Sequence, residues 1–126
     1  MLRLMEARIP EAYLHRRGYY QVRPADIISR ADLLLLDVRF APEDLDGDQG
    51  HIHGTLYLPL AEIERFTQPL DTPMVVVCGN GRESVRAAER LAARGYIEVY
   101  HLVGGMLRWN GEERPVSRAG SWSHYT

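Results

Sequence analysis

Residues 73–96, PMVVVCGNGRESVRAAERLAARGY, leave this chain fewer choices than any other stretch. Met74 to Val77 is a short, largely β-branched apolar run, the pattern of a strand buried on both faces. Cys78 ends it. Gly79, Asn80 and Gly81 supply the positive φ angles of a tight loop. From about Ser84 the period turns helical, with Val85, Ala88, Leu91 and Ala92 on one face, and Gly95 reads as the stop. A strand, a cysteine, a glycine loop and a helix N-terminus aim backbone N–H groups and the positive end of a dipole at one thiol. Such surroundings favour the reactive thiolate.

Composition narrows the chemistry. The chain has 126 residues and a formal net charge of −2, which suits one domain and points to neither a polyanion nor a membrane surface. All fifteen basic residues are Arg. Lysine Schiff-base chemistry is therefore excluded, and an anion must be held by an Arg fork, a His or backbone amides. Cys78 is the sole cysteine, so neither an intramolecular disulfide nor a multi-cysteine metal site can form. A reduced compartment fits, and no run approaches the roughly 18 apolar residues of a membrane span. The expectation is a cytoplasmic protein.

The first twenty residues carry a broken helical pattern (Leu2, Leu4, Met5, Ile9, Tyr13, Leu14) interrupted by Pro10. It suits an amphipathic extension packed on the domain, or a helix that docks a partner. Pro24 can open a short helix through Arg30. Leu33 to Leu36 then runs apolar into Asp37-Val38-Arg39, a second buried strand whose C-terminal end is where open parallel sheets place sites. Residues 41–50 form an acidic loop. Its Asp44, Asp46 and Asp48 imitate the start of a calcium loop, but the sixth position is Gln49 and the twelfth Thr55, where Gly and Glu belong. His51 and His53 would share one face if extended, yet no third metal ligand is evident nearby, and structural hydrogen bonding explains them better. Leu56 to Leu60 reads as a short extended piece, Ala61 to Phe66 as a helical turn or two, and Ile97 to Leu102 as a strand. Gly104-Gly105 opens a last helix with Met106, Leu107 and Trp109. Residues 117–126, polar with two aromatics, read as a poorly ordered tail. Strands alternating with helices imply an α/β domain with a mainly parallel sheet.

Four stretches then converge. LLLLDVR (33–39), GHIHGTLYLP (50–59), VVVCGNGRES (75–84) and LVGGMLRW (102–109) resemble, in order and spacing, the landmark segments of the rhodanese-like sulfurtransferase family. The resemblance implies a three-layer rhodanese-like domain at residues 20–116, its central sheet covered by helices on both faces. Residues 1–19 would be an N-terminal extension and 117–126 a C-terminal tail. It also implies that Cys78 takes up sulfane sulfur as a persulfide from a donor such as thiosulfate. The sulfur would pass to cyanide, a thiol or a carrier protein. Gly79, Asn80, Gly81, Arg82, Glu83 and Ser84 would bind the substrate, Arg82 through its charge, while Asp37 and Arg39 brace the active-site loop. No metal or cofactor is implied, and no nucleic acid or membrane partner.

The loop from Cys78 to Glu83 has the six-residue length of sulfurtransferases. Phosphatase relatives have a longer loop with Arg where this chain has Ser84, so phosphate-ester and arsenate chemistry lose their anion clamp. A non-enzymatic binding module of the same fold would need neither the cysteine nor the glycine loop. Two features depart from the family pattern. The 43–50 stretch is longer and more acidic than usual. Glu83 also stands where a basic residue or Thr is common. A carboxylate ~6 Å from the sulfur would cost about 3 kcal/mol of repulsion at an effective dielectric of ~20. The expectation is therefore that Glu83 turns outward to Arg86.

Overall fold

A computed structural model describes Ile9 and residues 12–126. The expected helical pattern before Tyr13 therefore lies largely outside the described residues. The strands are β1 (Tyr13–Leu14), β2 (Tyr20–Val22), β3 (Leu34–Asp37), β4 (Leu56–Tyr57), β5 (Met74–Val77), β6 (Val99–Leu102) and β7 (Ser123–His124). The helices are α1 (Pro24–Ile27), α2 (Arg82–Ala93) and α3 (Gly105–Gly111), with 3-10 turns at Pro42–Asp46 and Leu60–Arg65. One sheet runs β1-β2-β6-β5-β3-β4-β7, and only β1 joins antiparallel.

Side-chain alternation divides β5 between two cores. Met74 and Val76 face one side, where Ala87, Ala88 and Leu91 of α2 pack with Ile63 and Phe66. Val75 and Val77 face the other, against Ile27 of α1 and Met106 and Trp109 of α3. All four are at most 1% exposed, as the apolar run requires, and each contributes roughly 1.5–3 kcal/mol by leaving water. The result is the expected three-layer α/β arrangement.

Pairing of Asp37 with Val77 and of Val76 with His101 brings the C-terminal ends of β3, β5 and β6 together. The site is assembled there, as the open-sheet rule expects.

Two expectations fail at the termini. Tyr13 and Leu14 form a strand instead of continuing a helical pattern, because β2 offers them a free edge. The segment 117–126 is no loose tail. β7 pairs with β4, Tyr125 packs 5.1 Å from Phe66 while its hydroxyl donates to Thr67 O, and Trp122 stands edge-on to Tyr57. Two aromatics with partners outweigh the polar composition.

Among the described residues no helix is long and apolar enough to cross a membrane.

Candidate active site

Cys78 follows β5 directly and its side chain is fully buried. The Gly81 backbone N–H donates to Sγ at 3.0 Å and that of Ser84 at 3.3 Å, with the Ser84 hydroxyl also at 3.3 Å. Helix α2 begins at Arg82, two residues before the apolar period becomes visible, and its N-cap is Gly81. Glycine has no side chain to accept the first-turn N–H groups, and the sulfur takes that part for Ser84. Asn80 Oδ1 accepts the Arg82 N–H at 3.0 Å. Donors converging on one atom at a helix N-terminus stabilise negative charge there.

The loop is held from below by α3. Met106 N–H donates to Cys78 O and Leu107 N–H to Gly79 O, both at 2.8 Å. Only glycine permits this approach. A Cβ on Gly105, at φ +57°, would fall 2.4 Å from Cys78 O, and one on Gly81, at φ +95°, 3.1 Å from Gly104 N.

His101 supplies a further support. It is 4% exposed, and its Nε2 lies 3.0 Å from Gly81 O. A carbonyl only accepts, so the neutral ring carries its proton on Nε2 and leaves Nδ1 bare. Among the described residues Nδ1 is buried without a hydrogen-bond partner. Burial holds the His101 pKa below its ordinary value, the Gly81 bond pulls the other way, and the charge of His15 adds to the lowering. Neither His101 nor the two α3 amides carried a local signal. A histidine inside a strand looks like a packing residue, and a backbone donor leaves no mark in the sequence.

Asp37 and Arg39 form a buried pair. Arg39 Nε donates to Asp37 Oδ1 at 3.0 Å and Nη2 to Oδ2 at 2.8 Å. Burial pushes the Asp37 carboxyl up, and the Arg39 guanidinium pulls it back. The remaining Arg39 donors reach Gly50 O at 2.7 Å and Asp44 O at 3.2 Å. The pair therefore braces the acidic loop, where the expectation was the cysteine loop. The two loops meet through Gln49, whose side-chain amide donates to Gly79 O at 3.4 Å and whose backbone carbonyl accepts from the Asn110 side chain at 2.9 Å.

Above the cysteine loop opens a cavity of about 550 Å3, lined by Gly79, Asn80 and Glu83 on one side and by Arg39, Phe40, Glu43, Asp44, Gly47, Asp48 and Gln49 on the other. Of the expected substrate-binding residues, Gly79, Asn80 and Glu83 line it, while Gly81 and Ser84 face the sulfur. Arg82 is exposed, and its side chain is not part of the lining.

Glu83 is exposed, but the expected turn toward Arg86 is not found. Among the described residues the two make no ion pair, and Glu83 lines the cavity mouth. Side chains of a first helical turn lean toward the N-terminus, and an i,i+3 pair worth a few tenths of a kcal/mol cannot redirect one.

His51 and His53 separate. His51 is fully buried, with Nδ1 2.6 Å from Leu45 O and Nε2 2.6 Å from Ser121 Oγ, whereas His53 is exposed. Asp44 and Asp46 wind into a 3-10 turn. Among the described residues no group of three or more His, Cys, Asp and Glu is placed to hold a metal.

Known proteins resemble this chain. Thiosulfate sulfurtransferase GlpE of Coxiella burnetii is 31% identical over 97 residues, covering 75% of this chain and 86% of the relative. Uncharacterized protein YqhL of Bacillus subtilis is 36% identical over 80 residues, 62% of this chain and 61% of that protein. The crystal structure of a rhodanese-related protein from Thermoplasma volcanium superposes with a TM-score of 0.69 at 26% identity, over 79% of this chain and 98% of that one. The model of the rhodanese-like domain matches residues 24–112, from the first turn of α1 to the end of α3. A match that spans most of both cores and the whole Cys78 cradle makes the chain a member of the rhodanese-like domain family.

Proposed function

We propose that the protein is a sulfurtransferase working by double displacement on Cys78. The carrying observation is the convergence of the Gly81 and Ser84 N–H groups on Sγ at the junction of β5 and α2. In the first step the Cys78 thiolate attacks the sulfane sulfur of a donor. A Cys78–S–S bond forms and the donor's sulfur bond breaks, its electron pair leaving on sulfite, if the donor is thiosulfate, or on a thiolate. In the second step a nucleophile, whether cyanide, a thiol or a carrier protein, attacks the outer sulfur and Cys78 departs as thiolate. Both the attacking thiolate and the stored persulfide of Cys78 are anionic, which is what the backbone donors suit. The steps draw on no metal or cofactor, and a chain with one thiol and no disulfide suits the cytoplasm.

The relatives named thiosulfate sulfurtransferase support this chemistry, as does Ser84 standing where phosphatase relatives carry Arg. The test is thiocyanate formation with thiosulfate or a small-molecule persulfide as donor and cyanide as acceptor. Wild type should turn over at least one donor, and Cys78→Ser should not exceed background while keeping the wild-type melting curve. Turnover surviving in the variant removes Cys78 from the mechanism.

A further inference from the structure

The rim of the cavity has a composition that the sulfur chemistry does not explain. Glu43, Asp44, Asp48 and Glu83 line it, with Arg39 as the one basic residue among them. Arg39 is already committed to Asp37 and to two backbone carbonyls. Among the described residues none of the four carboxylates forms an ion pair, and the nearby Arg118 guanidinium is bonded to the backbone carbonyl of Asp48 at 2.9 Å. The negative field reaches Tyr57, whose phenol burial pushes up to about 12 with help from Asp37, Asp44, Glu62 and Glu43.

A second feature adjoins the first. Phe40, three residues past the end of β3, is 92% exposed. It lines the acidic cavity and also a neighbouring cleft of about 450 Å3 with Pro59, Leu60 and Ala61. Glu83 likewise lines both, so an apolar cleft and an acidic mouth form one continuous surface.

A doubly charged anion approaching this mouth meets repulsion before it reaches the amides around Sγ. A cationic segment is drawn in, and an apolar side chain beside it can cover Phe40 and fill the cleft. Resting on the sulfurtransferase reading, we infer that the sulfane donor is a cysteine persulfide on a polypeptide segment of a partner protein, flanked by Arg or Lys and an apolar residue. The Cys78 thiolate attacks the outer sulfur of the partner's persulfide. The partner's S–S bond breaks, its electron pair returns to the partner's cysteine as thiolate, and the outer sulfur stays on Cys78. One S–S bond is exchanged for another, with no net oxidation and no co-reactant.

The test uses three synthetic peptides with a central Cys persulfide and one Leu, flanked by Arg, Gln or Glu, beside thiosulfate. Loading of Cys78 is followed by rapid quench and intact mass. At low salt the Arg peptide should load at least about tenfold faster than the Glu peptide, within the range that electrostatic steering supplies, and the gap should narrow as salt rises. Combining Glu43→Gln, Asp44→Asn, Asp48→Asn and Glu83→Gln should close the gap and speed loading by thiosulfate. Equal rates for the Arg and Glu peptides, or a faster Glu peptide, overturn the inference and leave the sulfurtransferase reading standing. Binding of the unloaded thiol peptides to Cys78→Ser protein reads the rim without chemistry. Salt-sensitive preference for the Arg peptide supports the docking surface, and its absence refutes it. Preferential binding to Cys78→Ser protein, with no loading of wild type by any donor, would retain the surface and reject the sulfurtransferase.

Discussion

The cradle of Cys78, a floor set behind the Gly79 and Asn80 wall, and the rim of the cavity are built from opposite electrostatics. At the floor the Gly81 and Ser84 N–H groups point at Sγ, and the α3 amides of Met106 and Leu107 fix the carbonyls of that same loop. At the rim, four carboxylates stand on the 41–50 loop and the first turn of α2. The floor favours an anion that is held, whereas the rim disfavours an anion that arrives. Storage of sulfur and admission of its donor are thus governed by different residues. The supports differ as well. Backbone hydrogen bonds and glycine contacts secure the floor, and one buried ion pair secures the rim.

The largest expected effect separates these supports. Asp37→Ala leaves the Arg39 guanidinium buried without its carboxylate and should lower unfolding free energy by about 3–5 kcal/mol in urea melts. Under native conditions it should speed proteolysis within 41–50 while changing the alkylation rate of Cys78 little. Equal damage at both places would show that floor and rim are one unit, joined through Gln49.

Gly105→Ala attacks the floor instead. The left-handed backbone costs a non-glycine residue about 1–2 kcal/mol, and the Cβ clash with Cys78 O must be relieved by moving α3. Lower stability and a severalfold change in Cys78 alkylation are expected, with the salt dependence of donor loading unaltered. A variant as stable as wild type, with unchanged alkylation, would mean that α3 does not set the loop.

A smaller effect concerns pH. The folded-state pKa of His101 lies below its unfolded value near 6.5, so between these values the unfolded chain binds a proton that the folded chain refuses. The neutral-His contribution is complete above about pH 6.5 and is lost as the pH falls through that value toward the folded pKa. His101→Gln should flatten this part of a melting-temperature profile, and an unchanged acid slope would refute the assignment.

The smallest is Glu83→Gln. Removing one exposed rim charge should raise kcat/KM for thiosulfate a few-fold, mainly through KM, and reduce its salt dependence. A fall in turnover would place Glu83 in the chemistry instead of at the entrance.

The sequence revealed the floor better than the rim. The Met74–Val77 run, the glycine loop and the Gly104-Gly105 pair are local signals, because strand burial, positive φ and helix starts depend on neighbouring residues. The onset of α2 was obscured because Arg82 and Glu83 precede its apolar period and its cap acceptor is a sulfur. β7 leaves no signal because a two-residue strand has no periodicity, and Trp122 and Tyr125 find their partners far away in the chain. Glu83 is exposed as its sequence context implies, but that it lines the cavity instead of meeting Arg86 is hidden for a similar reason. Arg86 is a local partner, whereas the cavity wall to which Arg39, Phe40, Glu43, Asp44 and Asp48 contribute exists only after β3 and β5 pair.

Intact mass after exposure to sulfane donors tests the central claim most directly. Wild-type protein should gain one sulfur atom from at least one donor and lose it on adding cyanide, while Cys78→Ser gains none. A wild-type chain that no donor modifies, or a Cys78→Ser chain that still takes up sulfur, would contradict the account.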